Sequence, residues 1–301
     1  MLLLIFPLLL LISLAAWSAP APIVLDPTYD HDKWNTEPDG HVRQFRAFTS
    51  SFDTKADDDG DGTDDAMGVP EWVAYEMRAF EEDCIPTHSR PPWFSDDDLV
   101  ASGEAPENKS YTYTQEYRSH HPDWFIRGHL AMKQHAARLG ENAEGNTHTM
   151  LNAVPQRQTF NAGIWLDLEK VTAMWAQRFG RVWIVTGPIF RDGHAIAHMA
   201  NEPDEFPVAI PEALYKIVIK GTQDIARPDV LAFIYPQVGP TYTLSDWDHT
   251  RFLTSVDEIE ELTGLDFLTL LDDVVEEELE SSIADALWER QPDDHIKSCQ
   301  N

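Results

Sequence analysis

Two stretches near the middle of the 301-residue chain carry side chains that suit the hydrolysis of a phosphodiester bond. In Arg127-Gly128-His129, a neutral histidine can accept a proton from water. The arginine two residues earlier lies on the same face of a strand and can contact a phosphate oxygen. Asn161 offers a hard, neutral oxygen that Mg²⁺ accepts while keeping most of its waters. Glu169 follows eight residues later, about 80° around an ideal helix, so both can reach one side of it.

The helix that must carry the second pair is predicted by its hydrophobic pattern. Apolar residues recur at helical spacing from Asn161 to Phe179, and Gly180 ends the pattern. Trp165 and Trp175 belong to this apolar stripe, so we expect them in the core and not as platforms for stacked bases. On these residues alone, an ordinary hydrogen-bonded strand histidine is the simpler interpretation of His129.

The remaining pattern predicts an α+β domain with a mixed central sheet flanked by helices. β-branched and aromatic runs predict strands at 72–77, 181–186, 214–220 and 231–235. A capping box from Ser255 to Glu258 predicts a short helix that ends at Gly264, followed by an acidic helix over about 267–288. Residues 83–115 are typical of a long surface loop.

The two ends of the chain bear on its location. An apolar run from Leu2 to Leu14, followed by small residues, predicts a signal peptide over 1–18 and a secreted or periplasmic protein; a retained membrane anchor is the alternative. Cys84 and Cys299 are the two cysteines, and the sequence leaves open whether they pair.

Charge is distributed unevenly. The chain has 52 Asp and Glu against 22 Lys and Arg, a net charge of −30, which as a total argues against a nucleic-acid partner. Between Lys109 and Asp192, however, ten basic residues face seven acidic ones. The argument from charge therefore has to be made locally. Within this block Lys133, His135 and Arg138 either line a groove or form a solvated helix face.

The acidic segment 19–68, which we separate from a domain over 69–301, contains a possible calcium loop. Asp57, Asp59, Asp61 and Asp65 match the opening of a D-x-D-x-D-G loop. The twelfth position is Gly68 and not Glu, so a complete EF-hand is absent from the sequence. A structural Ca²⁺ is expected here, and a solvated acidic loop is the alternative.

Several ordered segments resemble the DNA/RNA non-specific endonuclease family, which includes mitochondrial endonuclease G and secreted bacterial nucleases. The resemblance spans roughly Trp72 to Leu271. It is carried by 127–131, 151–156 and 160–169, and it continues through 72–75, 182–188, 215–218, 232–237 and 254–260. The family's motif usually has Asp before Arg-Gly-His, where this chain has Ile126; this departure bears on how firmly the loop is held and on the rate.

The resemblance implies a ββα-metal fold that holds one Mg²⁺, for which Mn²⁺ can substitute. His129 would be the general base, Asn161 would bind the metal, and Glu169 would act on water bound to that metal. Asn152 would help to orient the site, and Arg127 would stabilise charge on phosphorus. The implied substrates are DNA and RNA, cut to leave 5′-phosphate ends, and a homodimer is left open.

Two other functions are compatible with the same residues. One is an extracellular binding protein that keeps the fold, has lost catalysis and is stabilised by calcium. The other is a phosphodiesterase that acts on smaller nucleotides.

Overall fold

A central antiparallel sheet organises the computed structural model, which describes residues 20–34, 40–52, 67–111, 124–191, 194–199, 203–237 and 247–300. Within these residues the sheet has seven strands. Their spatial order is β1 (His41–Gln44), β2 (Thr49–Phe52), β3 (Pro70–Arg78), β6 (Arg181–Ile189), β9 (Ala213–Lys220), β10 (Asp229–Pro236) and β11 (Leu253–Thr254). The α+β class predicted from the sequence is confirmed.

Each face of the sheet carries its own hydrophobic core, because successive strand residues point to opposite faces. On β3, Val73, Tyr75 and Met77 join the first core, whereas Trp72 and Ala74 join the second. The central strands are therefore buried on both sides, which explains their nearly continuous apolar sequences.

A two-stranded ribbon and a helix lie on the first face. The ribbon pairs β4 (Phe125–His129) with β5 (Ala153–Arg157). The chain then enters α4 (Gln158–Phe160), a π-helical turn (Asn161–Trp165) and α5 (Leu166–Phe179). Trp165 and Trp175 are fully buried, as expected for core residues. The predicted helix over 161–179 is confirmed, except that its first turn is irregular.

Shorter elements complete the chain. They are the helices α1 (Asp97–Ser102), α2 (Lys133–Ala137), α3 (Glu141–Asn146), α6 (Val256–Thr263) and α7 (Asp273–Glu280) and the strands β7 (Ala197–His198) and β8 (Ala209–Ile210). The Ser255 hydroxyl accepts the Glu258 N–H at 3.2 Å, and Gly264 ends α6 at φ 72°. The predicted α6 and its caps are confirmed, as are the four predicted strands.

Three expectations from the sequence differ from the structure. The acidic helix over 267–288 is wrong, because α7 covers only Asp273–Glu280; Phe267 and Leu268 are buried in the second core, and Leu268 has φ 56°. The loop over 83–115 contains α1, which Asp96 caps with its side chain. The sequence did not indicate β1 and β2, whose polar residues Ser50 and Ser51 are buried but hydrogen-bonded.

The proposed calcium loop at Asp57, Asp59, Asp61 and Asp65, and the predicted signal peptide, lie outside the described residues. None of the helices in the described ranges combines the length and the apolar run that crossing a membrane requires.

A disulfide attaches the C-terminal tail to the body of the domain. Cys84 and Cys299 are joined at an S–S distance of 2.01 Å, which answers the question that the sequence left open. The Ile85 N–H donates to Lys297 O, and the Cys299 N–H donates to Ile85 O, both at 2.9 Å. Upstream of this link, Trp288 packs against Trp175 on α5, with ring centroids 5.2 Å apart.

We predict that replacing both cysteines with serine lowers the free energy of unfolding by about 2–4 kcal/mol, because the link closes a loop of 215 residues in sequence separation. Urea unfolding of the wild type with and without reductant measures the effect. The double serine variant is the control, since reductant must leave it unchanged. Equal stability of the oxidised wild type and the variant would contradict a stabilising role.

Candidate active site

The ribbon and the helix that follows it carry most of the residues singled out from the sequence. Arg127 and His129 lie on β4, opposite Pro155 and Ala153 of β5. Asn152 directly precedes β5. Asn161 begins the π-helical turn and Glu169 lies in the first turns of α5. This strand–strand–helix unit is the ββα arrangement that the resemblance implies.

His129 sits in a mostly buried aromatic pocket. Its ring lies 4.7 Å from that of Trp93 and 4.9 Å from that of His148, centroid to centroid. Burial, helped by the nearby His148, Arg90 and Lys133, holds the pKa of His129 well below its usual value. Its Nε2 is buried, and no described residue forms a hydrogen bond with it. The imidazole is therefore neutral at physiological pH and is able to accept a proton.

Charged residues from a loop and from the helices α2 and α3 surround this pocket. Arg90 donates from Nε to His148 Nε2 at 3.1 Å, and burial followed by the charge of Arg90 lowers the pKa of His148 to about 4. Lys133 Nζ lies 2.6 Å from Glu144 Oε1. Sequence reasoning missed Arg90, Trp93 and His148. No spacing links them to Arg-Gly-His, so no signal in the single sequence could have found them.

Arg127 shares Trp93 with His129. Its guanidinium carbon lies 5.6 Å from the centre of the Trp93 ring, and its Nη1 donates to the backbone and side-chain oxygens of Asn108. The two residues of the motif that could act on a phosphate are thus placed beside the same indole.

Asn152 holds the chain that follows His129. Its Oδ1 accepts the Ala131 N–H at 2.7 Å, while Nδ2 donates to Ala131 O and Thr147 O, each at 3.0 Å. The Leu130 N–H also donates to the Asn152 carbonyl at 3.1 Å. Both the oxygen and the nitrogen of the amide are therefore engaged in hydrogen bonds to the backbone, so Asn152 acts by positioning the loop beside His129.

Gly128 lets a buried glutamine connect the ribbon to the helix. A Cβ built on Gly128 would lie 2.1 Å from Cδ of Gln156, so any larger residue displaces that side chain. Gln156 Oε1 in turn accepts a hydrogen bond from Asn161 Nδ2. This orients the Asn161 amide, and no described residue donates to its Oδ1. Sequence reasoning also missed Gln156.

Glu169 is buried, 7% exposed, on the side of the helix that meets the sheet. Burial raises the pKa of its carboxyl, an effect that the charge of Lys216 on β9 opposes. Burial lowers the pKa of Lys216, whose Nζ has no hydrogen-bond partner among the described residues and lies 4.3 Å from the Trp165 ring centre. The two charges partly compensate each other inside the core.

The angle of 80° between Asn161 and Glu169 does not apply, because the helix between them is not ideal. Gly163 has φ −104° and ψ −112°, values that interrupt the helical path within the π turn. Such π turns commonly re-aim side chains at functional sites. The relation between the two residues is set by this kink.

The oxygen atoms in this unit suit Mg²⁺. The Asn161 Oδ1 is oriented and accepts no bond from a described residue, and the Glu169 carboxylate lies on the same helix. Mg²⁺ takes hard oxygen ligands and binds to proteins through only one or two of them. The donor set therefore fits this metal.

Two of the residues for which the sequence left a groove and a solvated helix face open are packed against neighbouring segments instead: His135 is buried and Arg138 is half-buried. His135 is 1% exposed, and its Nε2 lies 3.3 Å from Ala47 O. Arg138 donates to Arg78 O at 3.2 Å and stacks on Phe80. They hold α2 and its flanking turn against the sheet, so neither a groove nor a solvated face describes them.

We predict that Lys216→Met makes the stability of the protein more sensitive to pH. Without the lysine charge the pKa of Glu169 rises further above its unfolded value, so stability present in acid is lost as the pH rises. The pKa of Glu169 is already about 7 in the wild type, so the difference develops above that pH: between pH 6 and 8 the variant should lose about 1.4 kcal/mol, relative to wild type, for each unit of additional pKa rise within that range. Urea unfolding across this range measures the difference.

The double variant Glu169→Gln/Lys216→Met is the control, because it lacks the titrating carboxyl. Its own stability should therefore depend much less on pH over this range than that of Lys216→Met. A constant difference for Lys216→Met alone would show that the two charges do not interact.

Comparison with known proteins adds to this geometry. A family model described as DNA/RNA non-specific endonuclease matches residues 40–274. Mitochondrial nuclease EXOG of Mus musculus is 28% identical over 224 residues, which are 69% of this chain and 55% of that protein. A nuclease of Nostoc sp. is 28% identical over 166 residues, 53% of this chain and 56% of that protein.

A solved structure shares the fold. The crystal structure of the EndoG/EndoGI complex aligns with a TM-score of 0.60 and 20% identity, covering 77% of this chain and 87% of that chain. The chain spans about half the length of the curated relatives it matches. The family match covers well over half of this chain and includes the ββα unit. The chain belongs to the DNA/RNA non-specific endonuclease family.

Proposed function

We propose that this chain is a Mg²⁺-dependent, sequence-tolerant endonuclease that hydrolyses DNA and RNA and leaves 5′-phosphate ends. One observation carries the proposal. A half-buried, neutral His129 lies directly after Gly128, across which Gln156 reaches to orient Asn161. The proton acceptor on β4 and the metal-binding oxygen at the start of the helix are thus connected through Gln156.

The side chains divide the reaction between them. His129 takes the proton from the water that attacks phosphorus, and its low pKa keeps it ready to do so. Arg127 meets a phosphate oxygen and stabilises the charge that builds there. Asn152 keeps the backbone after His129 in place through its hydrogen bonds to Ala131. Asn161, with Glu169 on the helix that follows, would hold a Mg²⁺, which would supply positive charge to stabilise the leaving 3′ oxygen.

Binding without sequence preference follows from contacts with phosphate. Arg90, Lys133 and Arg127 lie around the histidine pocket, and the last two belong to the segment between Lys109 and Asp192, which has more basic than acidic residues. Contacts to the backbone of a nucleic acid position it but carry no sequence information. This arrangement supports activity on both DNA and RNA.

The cellular location proposed from the sequence is secreted or periplasmic. The Cys84–Cys299 disulfide supports it, because such bonds persist in oxidising compartments. The matched EXOG relatives are named as mitochondrial. The apolar leader of this chain supports export instead.

We also propose that the loop with Asp57 and Asp59 binds a structural Ca²⁺.

We predict that His129→Ala lowers the rate of plasmid cleavage by about 10²–10⁴-fold, the usual contribution of a general base. His198→Ala, which removes an exposed histidine on β7, is the matched control and should cut normally. EDTA should abolish cleavage, and Asn161→Ala should raise the Mg²⁺ concentration needed for it. Supercoiled DNA, linear DNA and RNA serve as substrates.

The outcome of this assay separates the proposed functions. Cutting that survives EDTA or His129→Ala would contradict the proposed chemistry. A folded wild type without activity on any nucleic acid would favour the binding protein. Cleavage of a dinucleotide analogue without cutting of circular plasmid would favour a small-nucleotide phosphodiesterase.

We predict that Gly128→Ala lowers activity with little loss of stability. The new Cβ displaces the end of the Gln156 side chain, which releases Asn161 but leaves the backbone in place. The Mg²⁺ requirement should therefore rise, as it does for Asn161→Ala. Gln156→Ala in the Gly128→Ala background should add little further loss, because both changes break the same contact. Additive losses would contradict this coupling.

A further inference from the structure

Five acidic side chains converge between α6, α7 and the loop that joins them: Asp257, Glu260, Asp266, Glu276 and Glu280. One carboxylate oxygen each from Asp257, Glu260 and Glu280 lie within 4.8 Å of one another, and so do those from Asp266, Glu276 and Glu280. Two ligands on opposite sides of Ca²⁺, each about 2.4 Å from it, are about 4.8 Å apart. Each group therefore has the span of a single ion, and Glu280 belongs to both.

Glu280 is buried in a way that demands a partner. Its side chain is only 6% exposed, and its Oε1 is buried without a hydrogen-bond partner among the described residues. Burial, followed by the charges of Glu260 and Glu276, raises the pKa of this carboxyl to about 8. A buried carboxylate that lacks partners is costly, and other carboxylates around it increase the cost.

Neighbouring contacts leave the cluster negative. The ion pair between Arg227 Nη1 and Glu278 Oε2 at 2.9 Å uses a residue of α7 that is outside the cluster. The Glu260 Oε1 accepts the Phe267 N–H at 2.7 Å, which fixes the orientation of that carboxylate. The charged groups that act most on Glu280 are the four other carboxylates of the cluster.

We propose that this cluster is a calcium-binding site in which Glu280 is the central ligand. Ca²⁺ takes six to eight oxygen ligands in flexible geometry, which suits several carboxylates from two helices and a loop. Mg²⁺ demands a near-ideal octahedron and keeps its waters, so it fits a crowded carboxylate cluster less well. Glu276 and Glu280 lie after residue 274, where the family match ends.

The bound ion has a structural effect. It joins α7 to α6 and closes the loop that places Phe267 and Leu268 in the second core. It also replaces repulsion between five carboxylates by attraction to a shared cation. The site is separate from the ribbon and the helix that carry His129 and Asn161, which lie on the first core's side of the sheet.

Thermal unfolding of the full chain tests the proposal. After EDTA treatment, Ca²⁺ at about a hundredfold excess over its dissociation constant should raise the Tm of the wild type by roughly 5 °C. Glu280→Gln should remove most of this rise, and it should not lower the Tm measured in EDTA, because it replaces a buried carboxyl whose ionisation is unfavourable with a neutral amide of similar size. Glu276→Gln, at a more exposed ligand, should reduce the rise if Glu280→Gln fails to fold.

Matched variants assign the ion to this cluster. Glu278→Gln, on the same helix but outside the cluster, should keep the full Ca²⁺ response. The double variant Asp57→Asn/Asp59→Asn and the Asn161→Ala variant should keep the part of the response that depends on Glu280. An unchanged response in folded Glu280→Gln, the absence of any Ca²⁺ response in the wild type, or an equal Glu280-dependent response to Mg²⁺ would overturn the proposal.

Discussion

The passage of Gln156 across Gly128 is the contact on which the candidate active site depends. The ribbon supplies His129 and the helix supplies Asn161, and this glutamine touches the first element while bonding to the second. A glycine is required because the Gln156 side chain occupies the space of a Cβ, and not because the backbone adopts a positive φ. Steric room at one residue thus couples the position of the proton acceptor to the orientation of the metal-binding oxygen. In this chain the glycine of Arg-Gly-His is as much a part of the site as its charged neighbours.

Two ionisable groups near the site are buried, and one of them, on the sheet, carries the charge that partly offsets the burial of the other. Glu169 and Lys216 lie between α5 and β9, where burial disfavours the charged form of each side chain. The charge of each partner opposes this effect on the other. Replacing such a pair with apolar residues often stabilises a protein. Its presence therefore points to a role other than stability, which agrees with the role proposed for Glu169 beside a metal. His129 is buried without a counter-charge, so its loss of water favours the neutral form that the chemistry needs.

The sequence alone predicted the strands and helices that have a regular hydrophobic pattern, and it predicted the site residues that lie on those elements. The strands from Arg181 to Tyr235 and the helix ending at Phe179 can be predicted from the period of their apolar residues and from their composition. Burial of these side chains imposes a regular apolar pattern on the sequence. The motif residues were recognisable because they lie next to one another on the ribbon. Trp93 and His148 were not, because irregular segments bring them to His129 and irregular backbone leaves no period. The late start of α7 at Asp273 was missed for a related reason: acidic residues favour a helix locally, whereas burial of Phe267 and Leu268 decides the path of the chain before it.

The net charge of −30 is compatible with a polyanionic substrate because part of the negative charge lies on the other side of the sheet from the candidate active site. The acidic helices α6 and α7 pack on the second core, while the ribbon, α5 and the basic residues near His129 belong to the first. At about 0.1 M salt, exposed charges are screened over roughly 10 Å, and a sheet with packed layers on both faces is thicker than that. The phosphate backbone therefore meets the local field of Arg90, Arg127 and Lys133 more strongly than that of the acidic face. A cation bound on the acidic side would reduce the remaining repulsion without occupying the active site. The negative charge that α6 and α7 contribute is thus on the opposite face of the sheet from His129.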